Sequence, residues 1–409
     1  MRLRPVLLVI ALLALVAACS DDPAQTAKPT ESTKVVGYFT NWGVYDRNFQ
    51  VKDLDTDGAA GKLTHLLYAF GTVKDGKCAA TDAWADYQKP ITAAASVDGA
   101  ADAPDAPLRG NFGQLRKLKK KYPQLKVVWS FGGWNDSGGF TTAAKDPAAF
   151  ADSCRQLLDD SRWKGVFDGV DVDWEYPNAC GLTCDKSGPD GLAKVLTALR
   201  SALGKQAVVT AAVPADVEKL KASDYQAAAA QADWLGAMTY DYFGTGGDGD
   251  ANGADAQDEH HTALQSPLSG YSGIPRANAT TTATIDQLLS MGVPPAKILL
   301  GVPFYGRGWT GVSSAAPGGT ASGPAKGKYE TGLEDYAILA DRCPPTGDAG
   351  GTAYGHCGSE WWSYDTPDTI KAKMSFAASK SLGGAFAWEL SGDTAKGDLL
   401  NAVVTGMGR

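Results

Sequence analysis

The chain has 409 residues, of which 44% are hydrophobic, and this is enough to enclose a large core. Its 46 acidic and 38 basic residues give a net charge of −8, which argues against nucleic acid as a partner. A basic cluster at 116–121 is interpreted as the solvated face of a helix.

The N-terminal segment is not expected to belong to the folded domain. Arg2 and Arg4 precede an apolar run at 6–18. This run is too short to be a stable membrane span, and its basic flank is typical of a signal peptide. Residues 1–18 are therefore predicted to be removed after export.

A cysteine follows this run directly. Small residues stand before Cys19, a pattern that resembles the bacterial lipobox, so Cys19 is expected to be lipidated. The polar segment 19–33 lacks bulky apolar residues and is expected to be a flexible tether. The protein would then lie outside the cell, tethered to the membrane only through this lipid, or released by secretion. Cleavage after Ala18 that leaves Cys19 as a free thiol is the alternative.

Eight short apolar runs rich in β-branched residues follow, separated by amphipathic segments. The runs lie at 35–40, 64–70, 126–131, 166–174, 207–214, 234–242, 298–305 and 384–390. Their near-continuous apolar character is typical of parallel strands that are covered by helices. Helices are predicted at 113–122, 148–159, 191–203 and 284–291. This alternation predicts an α/β fold, a (β/α)₈ or TIM barrel, with its active site at the C-terminal ends of the strands.

Two connections are too long for a plain barrel. One lies at 72–111 after the second strand, and the other at 309–365 after the seventh. Long inserts on the catalytic face commonly form walls or lids of a binding site. The barrel is therefore assigned to 34–308 and 366–409, with 309–365 as an insertion.

The cysteines are informative because their number is odd. Seven cysteines are present, and removing Cys19 leaves an even set that is suited to disulfides in an oxidising compartment. Six cysteines allow 15 pairings, so the connectivity stays open. Cys343 and Cys357 share one insert and are the favoured pair. The disulfide candidates are Cys78, Cys154, Cys180, Cys184, Cys343 and Cys357.

The fourth run contains an acidic motif, DGVDVDWEYP, at 168–177. Residues two apart in a strand share a face, so Asp171, Asp173 and Glu175 are predicted to point into the barrel while the apolar residues between them face the helices. Asp168 is out of phase with this row, which indicates a local bulge or a structural role.

Burial of three neighbouring carboxyl groups is costly unless protons are shared, and like charges raise the pKa of at least one group. A raised pKa is what a general acid needs near neutral pH. Glu175 is last on the strand and nearest the predicted cleft, so it is the candidate acid. The titrations of Asp171, Asp173 and Glu175 are expected to be coupled.

With this motif the chain resembles glycoside hydrolase family 18, the chitinase family, whose signature is D-x-x-D-x-D-x-E on the fourth barrel strand. Further matching segments are GYFTNWGVY at 37–45, SFGGW at 130–134, MTYD at 238–241, VPFYGRGW at 302–309 and AWE at 387–389. The resemblance is to a bacterial subfamily with deep clefts, and it implies that 309–365 is a small α+β insertion.

The resemblance implies hydrolysis of β-1,4-linked N-acetylglucosamine in chitin, by substrate-assisted catalysis with retention through an oxazolinium ion. Glu175 would be the proton donor, and Asp173 would orient the substrate's acetamido N–H. Asp171 would share a proton with Asp173, helped by Ser130 and Tyr38. Together with Tyr240, expected to bind the acetamido oxygen, these acids form the catalytic set: Asp171, Asp173, Glu175 and Tyr240.

The remaining site residues are expected to bind sugar. Asp241 would bind hydroxyl groups near the scissile bond, and Arg307 those on the glycone side. Flat aromatic side chains stack on the apolar faces of sugar rings. Trp388 is expected beneath the distorted sugar, Trp134 on the leaving-group side and Trp42 on the far glycone side, whereas core packing is expected for Trp84, Trp361 and Trp362.

Smaller roles complete the expected site. Met238 is expected to pack beneath it, and Glu330 is included among the substrate-binding residues. Gly132 and Gly133 are expected to have a structural role in keeping the barrel mouth open. No cofactor and no metal are expected, since the four histidines lack ligand spacing, and a monomer is expected.

Two other functions remain open from the sequence. A chitin-binding lectin on the same fold would typically lack the acid at the position of Glu175, and this chain retains it. An endo-β-N-acetylglucosaminidase that acts on glycoprotein glycans is the second alternative. Trp42 and the long insert at 309–365 favour a chitin cleft over it.

Overall fold

The computed structural model describes residues 33–245 and 260–409. The predicted signal peptide, Cys19 and the tether up to residue 32 lie outside the described residues. The strands are β1 Lys34–Thr40, β2 His65–Lys74, β3 Lys77–Ala80, β4 Lys126–Gly132, β5 Gly169–Asp173, β6 Val208–Val213, β7 Trp234–Ala237, β8 Ile298–Pro303, β9 Tyr305–Thr310, β10 Gly323–Pro324, β11 Leu333–Asp335, β12 Gly347–Ala349, β13 Thr352–Cys357, β14 Glu360–Tyr364 and β15 Gly384–Trp388.

The helices follow the barrel strands and cover them. They are α1 Asp53–Thr56, α2 Ala59–Lys62, α3 Gly110–Lys121, α4 Phe140–Ala143, α5 Pro147–Leu158, α6 Gly191–Leu203, α7 Val217–Lys221, α8 Tyr225–Gln231, α9 Thr281–Ser290, α10 Tyr336–Arg342, α11 Pro367–Ser379 and α12 Asp398–Gly406. The four predicted helices are confirmed as α3, α5, α6 and α9.

Eight parallel strands close into a barrel, which confirms the predicted (β/α)₈ fold. Their order around the barrel is β1, β2, β4, β5, β6, β7, β8 and β15, and β1 pairs with both β2 and β15. Each of the eight predicted runs overlaps one of these strands, and β2 extends furthest beyond its run, to Lys74. The strand predicted at 234–242 ends early at Ala237, because the Thr239 N–H turns back to bond the Ala237 carbonyl.

The first and last described residues of the chain lie side by side at the base of the barrel. Lys34 at the start of β1 is in register with Gly384 at the start of β15. The guanidinium of Arg409 donates to the carbonyl of Thr33 over 3.3 Å. Thr33 and Arg409 are therefore neighbours at the end of the barrel where the strands begin.

Apolar side chains form two layers around the strands. The large outer layer lies between strands and helices and includes Val170 and Val172 of β5. A smaller cluster, which includes Tyr38, Val128 and Phe386, fills the barrel interior. The alternation of β5 thus sends its valines outward and its acids inward, as the sequence predicts.

The insertion forms a second sheet beside the barrel mouth. Strands β9 to β14 pair antiparallel, with β9 as the strand shared by β10, β11 and β14, and α10 packs beside them. This sheet begins at Tyr305, four residues before the predicted boundary at 309. The reason is that β8 ends at Pro303 and the chain enters β9 after a single residue, Phe304, so no loop separates the two sheets.

Arg47 connects the insertion to the barrel. Its guanidinium bonds the carboxylate of Asp335 in β11 and lies 3.5 Å from that of Glu389, which follows β15. The guanidinium also lies over the ring of Tyr329, 4.3 Å from the ring centroid. Three segments that are distant in sequence are therefore fixed together at one end of the barrel mouth.

The acid that is out of phase in the motif has a structural position. Asp168 precedes β5, and its carboxylate accepts the N–H of Val127 and bonds the ammonium groups of Lys119 and Lys126. Lys119 belongs to the basic cluster on α3, whose other lysines Lys117 and Lys121 also contact acidic side chains. Three of the five basic side chains in the cluster therefore contact acids of the same chain.

The described residues contain three disulfides. They join Cys78 to Cys154, Cys180 to Cys184 and Cys343 to Cys357. The last is the pair that the sequence favoured. The described residues contain no helix long and apolar enough to cross a membrane.

The tryptophans expected in the core differ from one another. Trp361 and Trp362 are fully buried in the second sheet, as predicted. For Trp84 the expectation is wrong, because its side chain is 50% exposed. Trp84 lies on a short helical turn of the insert after β2, Trp84–Gln88, which directs its ring away from the barrel core.

Candidate active site

A cleft of about 620 Å³ opens at the C-terminal ends of the barrel strands. Residues from several strands and from the insertion line it. They are Tyr38, Asn41, Trp42, Phe70, Thr81, Asp82, Gly132, Trp134, Asn135, Asp136, Asp173, Glu175, Tyr176, Ala215, Met238, Tyr240, Asp241, Tyr305, Arg307, Glu330, Leu333 and Trp388. Two of the three acids in the predicted inward row therefore reach the same cavity as the predicted aromatic residues.

Asp171 is the deepest acid and is held by three hydroxyl groups. Tyr38 and Ser130 donate to Oδ2 over 3.1 and 2.7 Å, and Thr210 donates to Oδ1 over 2.5 Å. Burial raises the pKa of Asp171, and these hydrogen bonds oppose the rise. The residues Ser130 and Thr210 stand beside Asp171 in the register of β4 and β6, so the neighbouring strands supply the donors.

Asp173 is buried beside the other acids but lacks their partners. Its Oδ1 has no hydrogen-bond partner among the described residues. Burial, followed by the charges of Glu175 and Asp171, raises the pKa of Asp173 well above its ordinary value. The Asp171 oxygens accept hydrogen bonds from Tyr38, Ser130 and Thr210, and the sharing of a proton between Asp171 and Asp173 stays a prediction.

Gly132 explains how the strand end is shaped. A Cβ atom at Gly132 would lie 2.1 Å from the carbonyl oxygen of Asp173, and the residue has a φ of +109°. Both facts require glycine at this position. The next residue, Gly133, also has a positive φ and donates its N–H to the Asp173 carbonyl. These glycines let β4 lie directly against the acidic strand.

Glu175 follows the end of β5 and is 8% exposed. Burial raises the pKa of Glu175 to about 7, against the hydrogen bond from the Tyr176 hydroxyl and the positive charge of Lys219. Its backbone N–H donates to the Ser137 hydroxyl over 2.9 Å. A carboxyl group with this pKa carries a proton near neutral pH and can give it to a bound ligand.

Tyr240 faces the acids from the chain after β7. Its hydroxyl is buried, and burial together with the charge of Asp173 raises its pKa well above its ordinary value. The phenol therefore stays a neutral hydrogen-bond donor. Met238, two residues earlier, lines the cleft and packs against the interior cluster of the barrel.

Asp241 and Arg307 form a buried ion pair. Nε of Arg307 donates to Oδ1 of Asp241 over 2.8 Å, and the Tyr305 hydroxyl donates to Oδ2 over 2.6 Å. The guanidinium also lies 3.7 Å from the carboxylate of Glu330 in the insertion. The sequence expects Asp241 and Arg307 as separate sugar ligands, whereas the structure joins them because β9 turns Arg307 back toward the end of β7.

The aromatic residues form a floor and two sides. The ring of Trp388 stacks on that of Phe70 at 5.5 Å and meets Tyr38 edge-on at 5.0 Å. Trp42 is 42% exposed and lies 6.0 Å from Phe70, so one face of its ring is open to a ligand. Trp134 lines the cleft on the side where β4 ends.

Sequence reasoning gave no role to several residues of this site. Thr210 is a single hydroxyl residue inside the apolar run at 207–214, and that contrast is a signal that could have identified it. Tyr305 and Phe70 stand at the C-terminal ends of predicted strands, where barrel enzymes place their sites. Asn41 and Asp136 carry no such signal, since loop geometry brings them to the cleft.

The described residues contain no group of three or more histidine, cysteine, aspartate or glutamate side chains arranged to hold a metal ion. Of the acids in the row, Asp171 is held by three hydroxyl groups, and Asp173 has an oxygen with no partner among the described residues.

Comparison with known proteins agrees with this geometry. A family model for glycosyl hydrolases family 18 matches residues 34–393. The chain is 56% identical to chitinase C of Streptomyces lividans over 367 residues, 89% of this chain and 58% of that protein. It is 54% identical to chitinase 63 of Streptomyces plicatus over 376 residues, 91% of this chain and 60% of that protein.

The chain therefore spans about three fifths of the length of both relatives. Among solved structures, the catalytic domain of psychrophilic chitinase B from Arthrobacter TAD20 superposes with a TM-score of 0.82 at 34% identity, covering 92% of this chain and 95% of that one. The barrel fold, the acidic strand and the similarity to these proteins all indicate the same family. The chain belongs to the glycosyl hydrolases of family 18.

Proposed function

We propose that the protein is a chitinase that hydrolyses β-1,4 linkages between N-acetylglucosamine units. The observation that carries the proposal is the pair at the end of β5. Glu175 holds a proton near neutral pH, and beside it Asp173 presents a buried oxygen without a partner. A sugar that carries an acetamido group would supply the missing N–H donor to Asp173. The similarity to two Streptomyces proteins that are named as chitinases supports the same assignment.

The reaction would proceed in two balanced steps. Glu175 gives its proton to the glycosidic oxygen as the bond from that oxygen to C1 breaks, and the carbonyl oxygen of the substrate's acetamido group bonds C1. Water then attacks C1 of the oxazolinium ion and gives its proton to Glu175, which restores both the acid and the acetamido group. Two attacks on opposite faces leave the anomeric configuration unchanged.

The neighbouring residues would stabilise the charge that develops. The carboxylate of Asp173 accepts the acetamido N–H and lies close to the positive oxazolinium ring. Tyr240, a neutral phenol in this site, donates to the acetamido oxygen. Asp171 stays fixed by its three hydroxyl partners and raises the proton affinity of Asp173 by its charge.

The aromatic side chains indicate where the sugar units of a bound chain would lie along the cleft. Trp388 would lie beneath the sugar that is distorted at the scissile bond, on the floor it forms with Phe70. Trp134 would stack on the leaving-group side, and the exposed face of Trp42 on the glycone side. Asp241 and Arg307 would act as one ion-paired unit that binds sugar hydroxyl groups between the Trp134 and Trp42 ends of the cleft.

Incubation with reducing-end-labelled chitohexaose tests this function. We expect cleavage with retention of the β anomer at early times, and no cleavage of cellohexaose, which lacks the acetamido group. A Glu175→Gln variant should bind chitohexaose and lose at least about 100-fold in turnover, the size of a general-acid contribution. Equal cleavage of both hexaoses would exclude the proposed mechanism.

The same experiment separates the two other functions. Release of glycans from a high-mannose glycoprotein, without cleavage of chitohexaose, would identify an endo-β-N-acetylglucosaminidase. Binding of chitohexaose without any cleavage by the wild-type protein would identify a lectin. Retention of Glu175 with its pKa near 7 favours the hydrolase.

We infer that the protein acts outside the cell as a monomer and is attached to the membrane by lipid on Cys19. The apolar run before Cys19 and the three disulfides support export to an oxidising compartment. Intact mass of the N-terminal peptide should show a diacylglyceryl group, and its absence would exclude the anchor. Light scattering of the delipidated protein should give the mass of one chain.

A further inference from the structure

Tyr176 lies directly behind the candidate proton donor. Its side chain is 2% exposed and lines the cleft together with Glu175, and the charge of the Glu175 carboxylate raises the pKa of the Tyr176 hydroxyl, after burial. The mechanism above assigns no role to this residue.

Lys219 lies over the Tyr176 ring. Its ammonium group lies 4.3 Å from the ring centroid, within the range of a cation–π interaction. The helix α7 holds it there, because the side chain of Asp216 accepts the backbone N–H groups of Glu218 and Lys219. Lys219 is not among the residues that line the cleft, whereas Tyr176 and Glu175 are.

Among the described residues, the acids around Glu175 favour its protonated form. Asp173 of β5 and Asp241 after β7 are acids, and Tyr240 is a neutral phenol. The positive charge of Arg307 is neutralised by Asp241. Lys219 is the cation that opposes these groups, and its charge acts on Glu175.

We propose that Lys219 is a positioning residue that acts through Tyr176 to stabilise the carboxylate form of Glu175. The inference rests on the proposed function, in which Glu175 must first give a proton and then, as a carboxylate, take one from water. A cation over a phenol ring withdraws electron density from the ring, which strengthens the hydroxyl as a donor to the carboxylate. Without Lys219 the buried acid would hold its proton too tightly for the second step.

The test compares two lysines of the same helix. Lys219→Met removes the charge over the ring, whereas Lys221→Met removes an exposed lysine that pairs with Glu218. In Lys219→Met we expect the alkaline limb of the pH profile of kcat/KM to rise by about half a pH unit, with KM unchanged. In Lys221→Met the limb should stay at its wild-type pH.

Tyr176→Phe removes the hydroxyl that transmits the effect. It should raise the limb in the same direction, and the double variant Lys219→Met/Tyr176→Phe should show less than the sum of the two shifts. With an aryl chitobioside the leaving group needs little protonation, so the second step limits the rate. At pH values below the alkaline limb, Lys219→Met should therefore lower kcat. These readouts respond to the proton affinity of Glu175 and not to general stability.

Four outcomes would overturn the inference in an active wild-type enzyme. They are an unmoved limb, an equal shift in Lys221→Met, additive shifts in the double variant, or a rise in KM alone, which would identify Lys219 as a direct sugar contact. If Lys219→Met does not fold, Lys219→Gln and Tyr176→Phe give the same comparison. Failure of the wild-type protein to cleave chitohexaose would instead contradict the proposed function.

Discussion

The guanidinium of Arg307 and the carboxylate of Asp241 lie 2.8 Å apart in the mouth of the barrel, and both residues are buried. Neither charge is free to serve a ligand independently of the other. Removal of one partner leaves the other charge buried without its nearest counter-charge, which is the costly case for a buried ion pair.

Arg307→Met and Asp241→Asn are therefore expected to lower the free energy of unfolding by about 3–5 kcal/mol each. The double variant should lose less than the sum, because no uncompensated charge then remains. Denaturant unfolding of the three variants measures both effects. Strictly additive losses would show that the two residues act independently.

Activity is expected to fall as the pH rises through about 7. Burial raises the pKa of Glu175 to about 7, and the acid must be protonated to give its proton to the leaving group. The protonated fraction therefore decreases above that pH, and kcat/KM should decrease with it. Initial rates on chitohexaose between pH 5 and 9 measure the limb, and a constant rate up to pH 9 would contradict the assignment of Glu175.

Asp86 predicts a pH dependence of stability. Burial raises the pKa of Asp86 to about 7, against hydrogen bonds from Tyr68 and Asn41, and its Oδ2 has no partner among the described residues. The folded state then binds this proton more tightly than the unfolded chain, whose ordinary value is 3.8. The stability that comes from this proton is present below the unfolded value and is lost as the pH rises through about 7.

Asp86→Asn removes this titration. Between pH 4 and 7 the wild-type protein should lose up to about 4 kcal/mol more stability than the variant. The difference between the two proteins is the quantity to measure, because Glu175 and Asp393 change the stability of both in the same direction. Parallel curves of unfolding free energy against pH would exclude a neutral Asp86 in the folded state.

The disulfides are expected to differ in their contribution to stability. The bond from Cys78 to Cys154 closes a separation of 76 residues, and that from Cys180 to Cys184 a separation of four. Chain-entropy estimates give about 4 kcal/mol for the long loop and about 2 kcal/mol for the short one. Thermal unfolding of the two Cys→Ser double variants should show this order.

The short disulfide loop is expected to affect activity instead. Gly181 within it packs so closely that an added Cβ atom would lie 2.3 Å from the Glu175 carbonyl and 3.3 Å from the ring of Trp134. Loss of the bond should loosen Trp134 and raise KM for substrates that extend on the leaving-group side. KM values for chitotetraose and chitohexaose in the double variant of Cys180 and Cys184 measure this effect, and unchanged values would refute it.

The barrel and its inward acids follow from the sequence because both depend on local periodicity. Eight apolar runs define the strands, and the two-residue spacing of Asp171, Asp173 and Glu175 defines their common face. Of the three hydroxyl groups that bond Asp171, the sequence predicts those of Ser130 and Tyr38. Thr210 completes the set through the register of β5 and β6, which no single strand encodes.

The features that the sequence does not predict depend on long-range geometry. Asp241 and Arg307 are 66 residues apart, and only the turn from β8 into β9 brings them together. Trp84 was expected to be buried, but composition does not tell which side of a loop faces water. Similarly, Lys219 over Tyr176 requires the position of α7 relative to β5.

The adjacency of Thr33 and Arg409 at the base of the barrel has a consequence for orientation on a surface. Strands run from that base toward the cleft, so a flexible tether through residues 19–33 would leave the domain on the side opposite the cleft. An insoluble polymer would then reach the cleft without meeting the tether. A module joined after Arg409 would likewise start at the base and leave the mouth of the cleft open.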